Sequence, residues 1–249
     1  TRVDMDVYNA KYLTEGFKAT EGDPWCIQKA TGYYRQCTKK NIFIQDHELL
    51  VGGVGFKPRA GVLCPDSSCS IIDAELDTIS TRKFDPFYLS EEGKKVFKEE
   101  VSDYWKDKCV LDRWRKLAPA DMEAMRDNGM IYIDRKAVRG YGETTVSWPM
   151  ILQKEIGGLK AEAEEALSKL DDAVPGNLEK RFFYQSEIIA CDGIIALANR
   201  HADLALEQAK TCDDPQRKVE LRKIAEVCRR VPEHPARTFY EACQSILSY

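Results

Sequence analysis

Apolar positions recur at helical spacing along most of this chain. Val3, Val7, Tyr8, Leu13 and Phe17 form one stripe, so a helix is expected over the first turns. Asp23-Pro24 then supplies a capping residue and a proline whose missing N–H is no loss in a first turn, opening a helix through about Lys40. The period changes at Ile42. Ile42-Phe43-Ile44 and Leu49-Leu50-Val51 are short β-like runs, divided by Asp46-His47-Glu48 and closed by Gly52-Gly53. Helical spacing returns over residues 66–79 and again from Ser90 to about Trp105, where Ser90 caps and Glu91 and Glu92 sit at the positive helix end. Pro119-Ala120-Asp121 starts a short helix, and Pro149 starts a long one toward Asp171. The last third is the clearest, with helices over 177–210, 215–230 and 236–249 separated by Asp213-Asp214-Pro215 and Pro232-Glu233-His234-Pro235. On the first of these, Phe183, Ile188, Cys191, Ile195 and Ala198 are expected to share a buried face. The pattern therefore predicts a mainly α chain with a few short strands.

Length and composition narrow the class. A chain of 249 residues can bury a sizeable core as one large domain or two small ones, and 43% hydrophobic with 31% charged residues describes a soluble globular protein. A formal charge of −4 argues against a general nucleic-acid binder, which would present a basic face. No apolar run approaches the roughly 18 residues that would mark a membrane span. The last residues, Ser245-Ile246-Leu247-Ser248-Tyr249, fall within an apolar helical pattern without a cap, the ending expected of a piece of a longer protein.

The nine cysteines are scattered, and Cys64 and Cys69 have no second pair or nearby histidine to complete a zinc site. They are expected to be reduced, mostly buried thiols of a cytoplasmic protein, and no metal is expected. His47, His201 and His234 have no ligand spacing and are expected to be structural or exposed. Gly52-Gly53-Val54-Gly55 lacks the Gly-Lys-Ser/Thr of a phosphate loop and is expected to be a turn. Arg181 and Gln185 lie one helical turn apart as an anion clamp would, but a structural role is favoured. Glu162, Glu164 and Glu165, near Lys160 and Lys169, are expected to form a solvated face with local ion pairs.

One stretch combines chemistry with irregular backbone. Residues 134–145 carry Arg135, Lys136 and Arg139, then Gly140-Tyr141-Gly142, then Glu143-Thr144-Thr145. The glycines allow a sharp loop from which Arg139 and Glu143 project. A guanidinium fork and a carboxylate together suit a small oxyanionic, hydroxylated substrate. From the residues alone the simpler reading is a solvated basic turn.

Several words in shared order resemble the N-terminal region of glycyl radical enzymes, in the branch of choline, glycerol and isethionate lyases. They include Thr20-Glu21-Gly22-Asp23-Pro24, Gln45-Asp46-His47-Glu48-Leu49-Leu50-Val51-Gly52 and Lys57-Pro58-Arg59-Ala60-Gly61. Others are Glu75-Leu76-Asp77-Thr78-Ile79, Asp85-Pro86-Phe87-Tyr88-Leu89-Ser90-Glu91-Glu92, Arg229-Arg230-Val231-Pro232 and Arg237-Thr238-Phe239-Tyr240-Glu241-Ala242. The resemblance implies the N-terminal part of a ten-stranded α/β barrel wrapped in helices, with residues 1–249 as one portion of a pyruvate formate-lyase-like domain. The Cys-x-Glu motif of the family is absent, so no catalytic residue is expected in this chain, which alone should be inactive.

The resemblance also implies that the 134–145 loop lines the substrate. Aligned through Trp148-Pro149-Met150-Ile151-Leu152, Arg135 falls where choline lyases carry a tyrosine, and a cation there would repel trimethylammonium. Isethionate sulfite-lyases use an arginine followed four residues later by a glutamine; here Arg139 and Glu143 hold that spacing. The candidate substrate-binding residues are therefore Arg139, Glu143 and, more weakly, Arg135, for isethionate or a related hydroxysulfonate cleaved to sulfite and an aldehyde. Related glycerol dehydratases place a histidine where Glu143 falls; a polyol dehydratase of the same family is the alternative, and a non-catalytic helical interaction module is another. The implied cofactor is a glycyl radical on a glycine outside this chain, installed by an S-adenosylmethionine and iron–sulfur activase. The implied setting is a homodimer in the cytoplasm of an anaerobic bacterium, with a microcompartment as one location, and neither nucleic acid nor membrane as partner.

Overall fold

A computed structural model of the chain describes residues 3–131 and 146–248. In chain order the first elements are β1 (Val3–Asp6), α1 (Val7–Ala19), α2 (Trp25–Lys39), β2 (Ala60–Val62), α3 (Pro65–Glu75), β3 (Phe87–Tyr88) and α4 (Glu91–Val96). A π-helical turn over Phe97–Ser102 leads into α5 (Asp103–Trp105), followed by α6 (Val110–Leu117) and α7 (Ala120–Asp127). The long helices then follow: α8 (Trp148–Ser168), α9 (Asn177–Thr211), α10 (Pro215–Cys228) and α11 (Phe239–Ser248). The chain divides into two compact units, Thr1–Thr14 with Arg59–Thr145 and Glu15–Pro58 with Val146–Tyr249.

The first unit holds a three-stranded parallel sheet in the order β2-β1-β3, with Asp4 opposite Ala60 and Val3 opposite Phe87. The helix expected over the first turns is therefore a strand as far as Asp6, and only then a helix. Asp6 makes the change: its Oδ1 accepts the Asn9 N–H at 3.1 Å and satisfies a donor of the first turn. Further on, Ser90 caps α4 as expected, its Oγ accepting the Gly93 N–H at 3.0 Å. Phe97, Val101, Trp105 and Cys109, each four residues apart, are all fully buried. The Trp105 indole N–H donates to Thr14 Oγ at 2.8 Å, and the Thr14 hydroxyl donates to the Ala10 carbonyl at 2.8 Å. A large side chain enters the core there without leaving its donor unmade.

In the second unit α9 packs against α2, α8 and α10. Its inward face is made of small residues, Cys191, Ala198, Ala202, Ala205 and Ala209, and the last three pack with Ile44, Val51, Leu221, Ile224, Ala225 and Cys228. Phe183, expected on that face, is 58% exposed, so the buried stripe begins at Cys191 rather than eight residues earlier. Close approaches explain two glycines. A Cβ at Gly16 would strike the Gly32 backbone, and one at Gly193 would lie 3.1 Å from Tyr34 Cα.

Neither of the expected β-like runs is a strand: residues 42–44 have no regular structure, and Leu49 and Leu50 form a bend. Helix side chains take the ladder's place. Arg217 donates to the Gln45 and Glu48 carbonyls at 2.8 Å each, and Gln208 donates to the Ile44 carbonyl at 3.3 Å. The Gln244 amide accepts the Val51 N–H at 2.9 Å and donates to the Val51 carbonyl at 2.7 Å. Tyr240 donates to the Leu49 carbonyl. Backbone groups that a strand would pair with a neighbour are thus satisfied from α9, α10 and α11.

Candidate functional site

Arg135, Arg139 and Glu143 lie outside the described residues, within 132–145. The structure describes the two ends of that stretch. On the upstream side α7 closes with Gly129 at φ +70, and the Met130 and Ile131 N–H groups both donate to the Met125 carbonyl, at 2.8 and 3.3 Å. On the downstream side Pro149 lies in the first turn of α8, and the Ile151 N–H donates to the Ser147 carbonyl at 3.0 Å.

Two turns into α8 the helix breaks. Glu155 has φ 53 and ψ 179, a conformation outside the helical region. The break releases two backbone donors, and the loop after α10 takes them: the Ile156 N–H donates to the Pro232 carbonyl at 2.9 Å and the Gly157 N–H to the Glu233 carbonyl at 3.0 Å. Gly157 must be glycine, because a Cβ there would collide with the Glu233 carbonyl oxygen. The Glu155 side chain is fully buried, and its Oε2 accepts a hydrogen bond from Ser245 Oγ at 2.7 Å.

Ser245 belongs to a buried polar face of α11 made by Glu241, Gln244 and Ser245. Glu241 is 2% exposed and gripped by Arg237, whose backbone N–H donates at 2.6 Å and whose guanidinium donates at 2.9 Å. Arg230 adds a charge at 3.6 Å. The Arg237 hydrogen bond, against the opposing effect of burial, holds the Glu241 carboxyl below its usual range. The words Arg229–Pro232 and Arg237–Ala242 therefore contribute structure: they lock the turn that receives the broken α8.

This buried layer escaped the sequence. Glu241, Gln244 and Ser245 could have been found as polar residues at spacings of three and four on one face of an apolar helix. Nothing in the periodicity around Glu155 marks it. Other candidates fall as expected into packing. Arg181 donates through Nε to Asp172 Oδ1 at 2.7 Å, so it is an ion-pairing residue and no clamp. Gly53 is a close approach, where a Cβ would stand 2.6 Å from the Phe43 ring. Lys160 meets Glu164 at 3.8 Å and Asp192 at 2.6 Å, and Lys169 pairs with Glu165.

Cys37, Cys69, Cys109, Cys191 and Cys228 are buried, and all nine cysteines are free. Burial pushes Cys69 and Cys228 up to about 12 and Cys191 to about 11. None is followed at the second position by glutamate. Among the described residues no group of three or more His, Cys, Asp or Glu could hold a metal ion. No helix among them is long and apolar enough to cross a membrane.

A model of the pyruvate formate lyase-like family matches residues 2–249. The isethionate sulfite-lyase of Nitratidesulfovibrio vulgaris is 36% identical over 253 residues, covering 98% of this chain and 31% of that protein. A protein of Roseburia inulinivorans, solved in work on 1,2-propanediol dehydration, matches the fold with a TM-score of 0.94 at 32% identity. The glycerol-bound B12-independent glycerol dehydratase of Clostridium butyricum matches with 0.94 at 31%. Both cover 100% of this chain, which spans only 31% of each of theirs. Matched from one end to the other in sequence and in fold, the chain belongs to the pyruvate formate lyase-like family, the glycyl radical enzymes.

Proposed function

We propose that this chain is part of a glycyl radical lyase that cleaves the carbon–sulfur bond of isethionate or a related short hydroxysulfonate, giving sulfite and an aldehyde. The observation that carries the reading is the 36% identity to an isethionate sulfite-lyase across 98% of the chain. The radical supplies removal of a hydrogen atom from an unactivated carbon, a reaction outside acid–base chemistry. The residues of this chain bind and orient. Arg139 holds the sulfonate, where two parallel charge-assisted hydrogen bonds select an oxyanion over a neutral group. Glu143 faces the hydroxyl end and accepts its hydrogen bond, and Arg135 keeps Glu143 ionised beside an anion. The radical-bearing glycine and the cysteine that relays it belong to the rest of the enzyme, and the activase is a separate partner protein, so the chain by itself is inactive. A homodimer in an anaerobic cytoplasm completes the proposed setting.

The test is the complete, activated enzyme given isethionate under anaerobic conditions, with sulfite and acetaldehyde measured. Arg139→Ala is expected to lower sulfite release by about a hundredfold or more, the scale of losing one charged contact to a reacting group. The glycyl radical signal in electron paramagnetic resonance should remain unchanged. Normal sulfite release from the variant would refute the role of Arg139. A dehydratase of a small polyol is the second reading, favoured by the fold match to glycerol dehydratase. Turnover of glycerol or 1,2-propanediol with no sulfite from isethionate would establish it instead.

A further inference from the structure

Helix α10 has the arrangement that water imposes on a surface helix: Leu221, Ile224 and Ala225 are buried, while Arg222, Lys223 and Glu226 are exposed. Helix α11 reverses it. Glu241, Gln244 and Ser245 face inward and are buried, whereas Phe239, Ile246 and Leu247 are exposed, Phe239 at 86%. Phe239, Cys243 and Ile246 stand at i, i+4 and i+7, one apolar stripe along the outer side with Leu247 at its edge. Glu241 is the only charged residue of α11, so the outer face carries no charge.

The bonds of the inner face account for half of this reversal. Tyr240 and Gln244 serve the backbone at Leu49 and Val51, Ser245 serves the Glu155 carboxylate, and Glu241 holds Arg237. They require polar residues inward but do not require apolar ones outward. A helix whose outer side met only water would carry charges there, as α10 does. A continuous apolar stripe of this kind marks a surface that another surface covers. Its size bears on what that is. The ten residues of α11 make a stripe about 15 Å long and about 10 Å wide, far short of the roughly 800 Å² per partner that a stable dimer buries. A segment tethered to the same polypeptide can dock on so small a face, because its effective concentration offsets the cost of association. Such a segment is available: the chain spans 31% of the isethionate sulfite-lyase it matches, along that protein's N-terminal portion, so the larger part of such an enzyme lies outside it.

We infer that the outer face of α11, formed by Phe239, Cys243, Ile246 and Leu247, is the docking surface for an apolar, uncharged segment of the same polypeptide beyond residue 249. The inference rests on the reading of the chain as part of a longer enzyme.

The test uses the full-length, unactivated enzyme. In one arm Phe239 is replaced by photoreactive benzoylphenylalanine, and irradiation is followed by peptide mapping. A crosslink from position 239 to a peptide beyond residue 249 of the same polypeptide is expected, in a yield that dilution leaves unchanged. The other arm needs no variant: alkylation of Cys243, partly exposed on α11, is expected to be at least about a hundredfold slower in the native enzyme than in denaturant. A crosslink to a second copy, a crosslink to a peptide within residues 1–249, or no crosslink would overturn the inference. Alkylation of native Cys243 within about tenfold of its denatured rate would overturn it too. Failure of the longer-enzyme reading is a separate result, read from the intact mass: a native polypeptide ending at Tyr249 removes that reading and the inference with it.

Discussion

His201 on α9 is 3% exposed, with Nδ1 3.0 Å from the Leu197 carbonyl and Lys40 and Arg200 as charged neighbours. Burial is the main cause that pushes its imidazole below the ordinary 6.5; the Leu197 carbonyl and Glu48 oppose it, and the two cations add to it. The folded chain therefore favours neutral His201. Its contribution to stability is complete above pH 6.5 and is lost as the pH falls from there through the lowered folded value. His201→Gln should flatten the urea-unfolding midpoint between pH 7 and 5, a slope of at most about 1.4 kcal/mol per pH unit for one group. Equal slopes in wild type and variant would show that His201 does not titrate as its burial requires. Glu241 acts in the opposite window. Its carboxyl is lowered by Arg237, so its contribution is present above 4.5 and disappears as the pH falls below.

Side chains that stand in for a strand partner make Gln244 costly to lose. Gln244→Leu leaves both the N–H and the carbonyl of Val51 without their present partner, in a position where Val51 is 2% exposed. Two unsatisfied buried groups cost about 2–5 kcal/mol, a fall readable in a thermal melt, while an equally stable variant would show that water or a shift replaces the amide. The same elements show how far the pattern of residues reaches. Helices were legible where caps announce them: Ser90 accepts the Gly93 N–H, and Asp214 accepts the Gln216 N–H at 2.9 Å ahead of Pro215. The strands were not, because β1, β2 and β3 have four, three and two residues, too few to establish an alternating period. The apolar runs at 42–51 look like strands, but only Ile44 and Val51 of them enter the core, and what pairs their backbone is remote in sequence. Arg139 and Glu143 could be named only through resemblance to a family, and Glu155 through neither route, since backbone strain leaves no mark in a hydrophobic pattern.

At the scale of the molecule, nine cysteines and no disulfide make a chemical map of the fold. Cys64 is exposed, whereas Cys69, Cys191 and Cys228 are buried with thiols raised well above neutral pH. Brief alkylation at neutral pH followed by peptide mapping should modify Cys64 and leave those three unmodified until denaturant is added. Early labelling of Cys228 would contradict the packing of α10 against α9. The chain's place in a larger protein rests on its relatives, of whose length it spans 31%. One feature of the second unit bears on how such a molecule avoids its own kind. An apolar stretch with open backbone groups is a template on which another molecule's strand can add. Between Ile44 and Val51 the carbonyls of Ile44, Gln45, Glu48, Leu49 and Val51 already receive donors from Gln208, Arg217, Tyr240 and Gln244. Those five acceptors are closed to strand addition, and their protection against aggregation is stored in four helical side chains far along the chain.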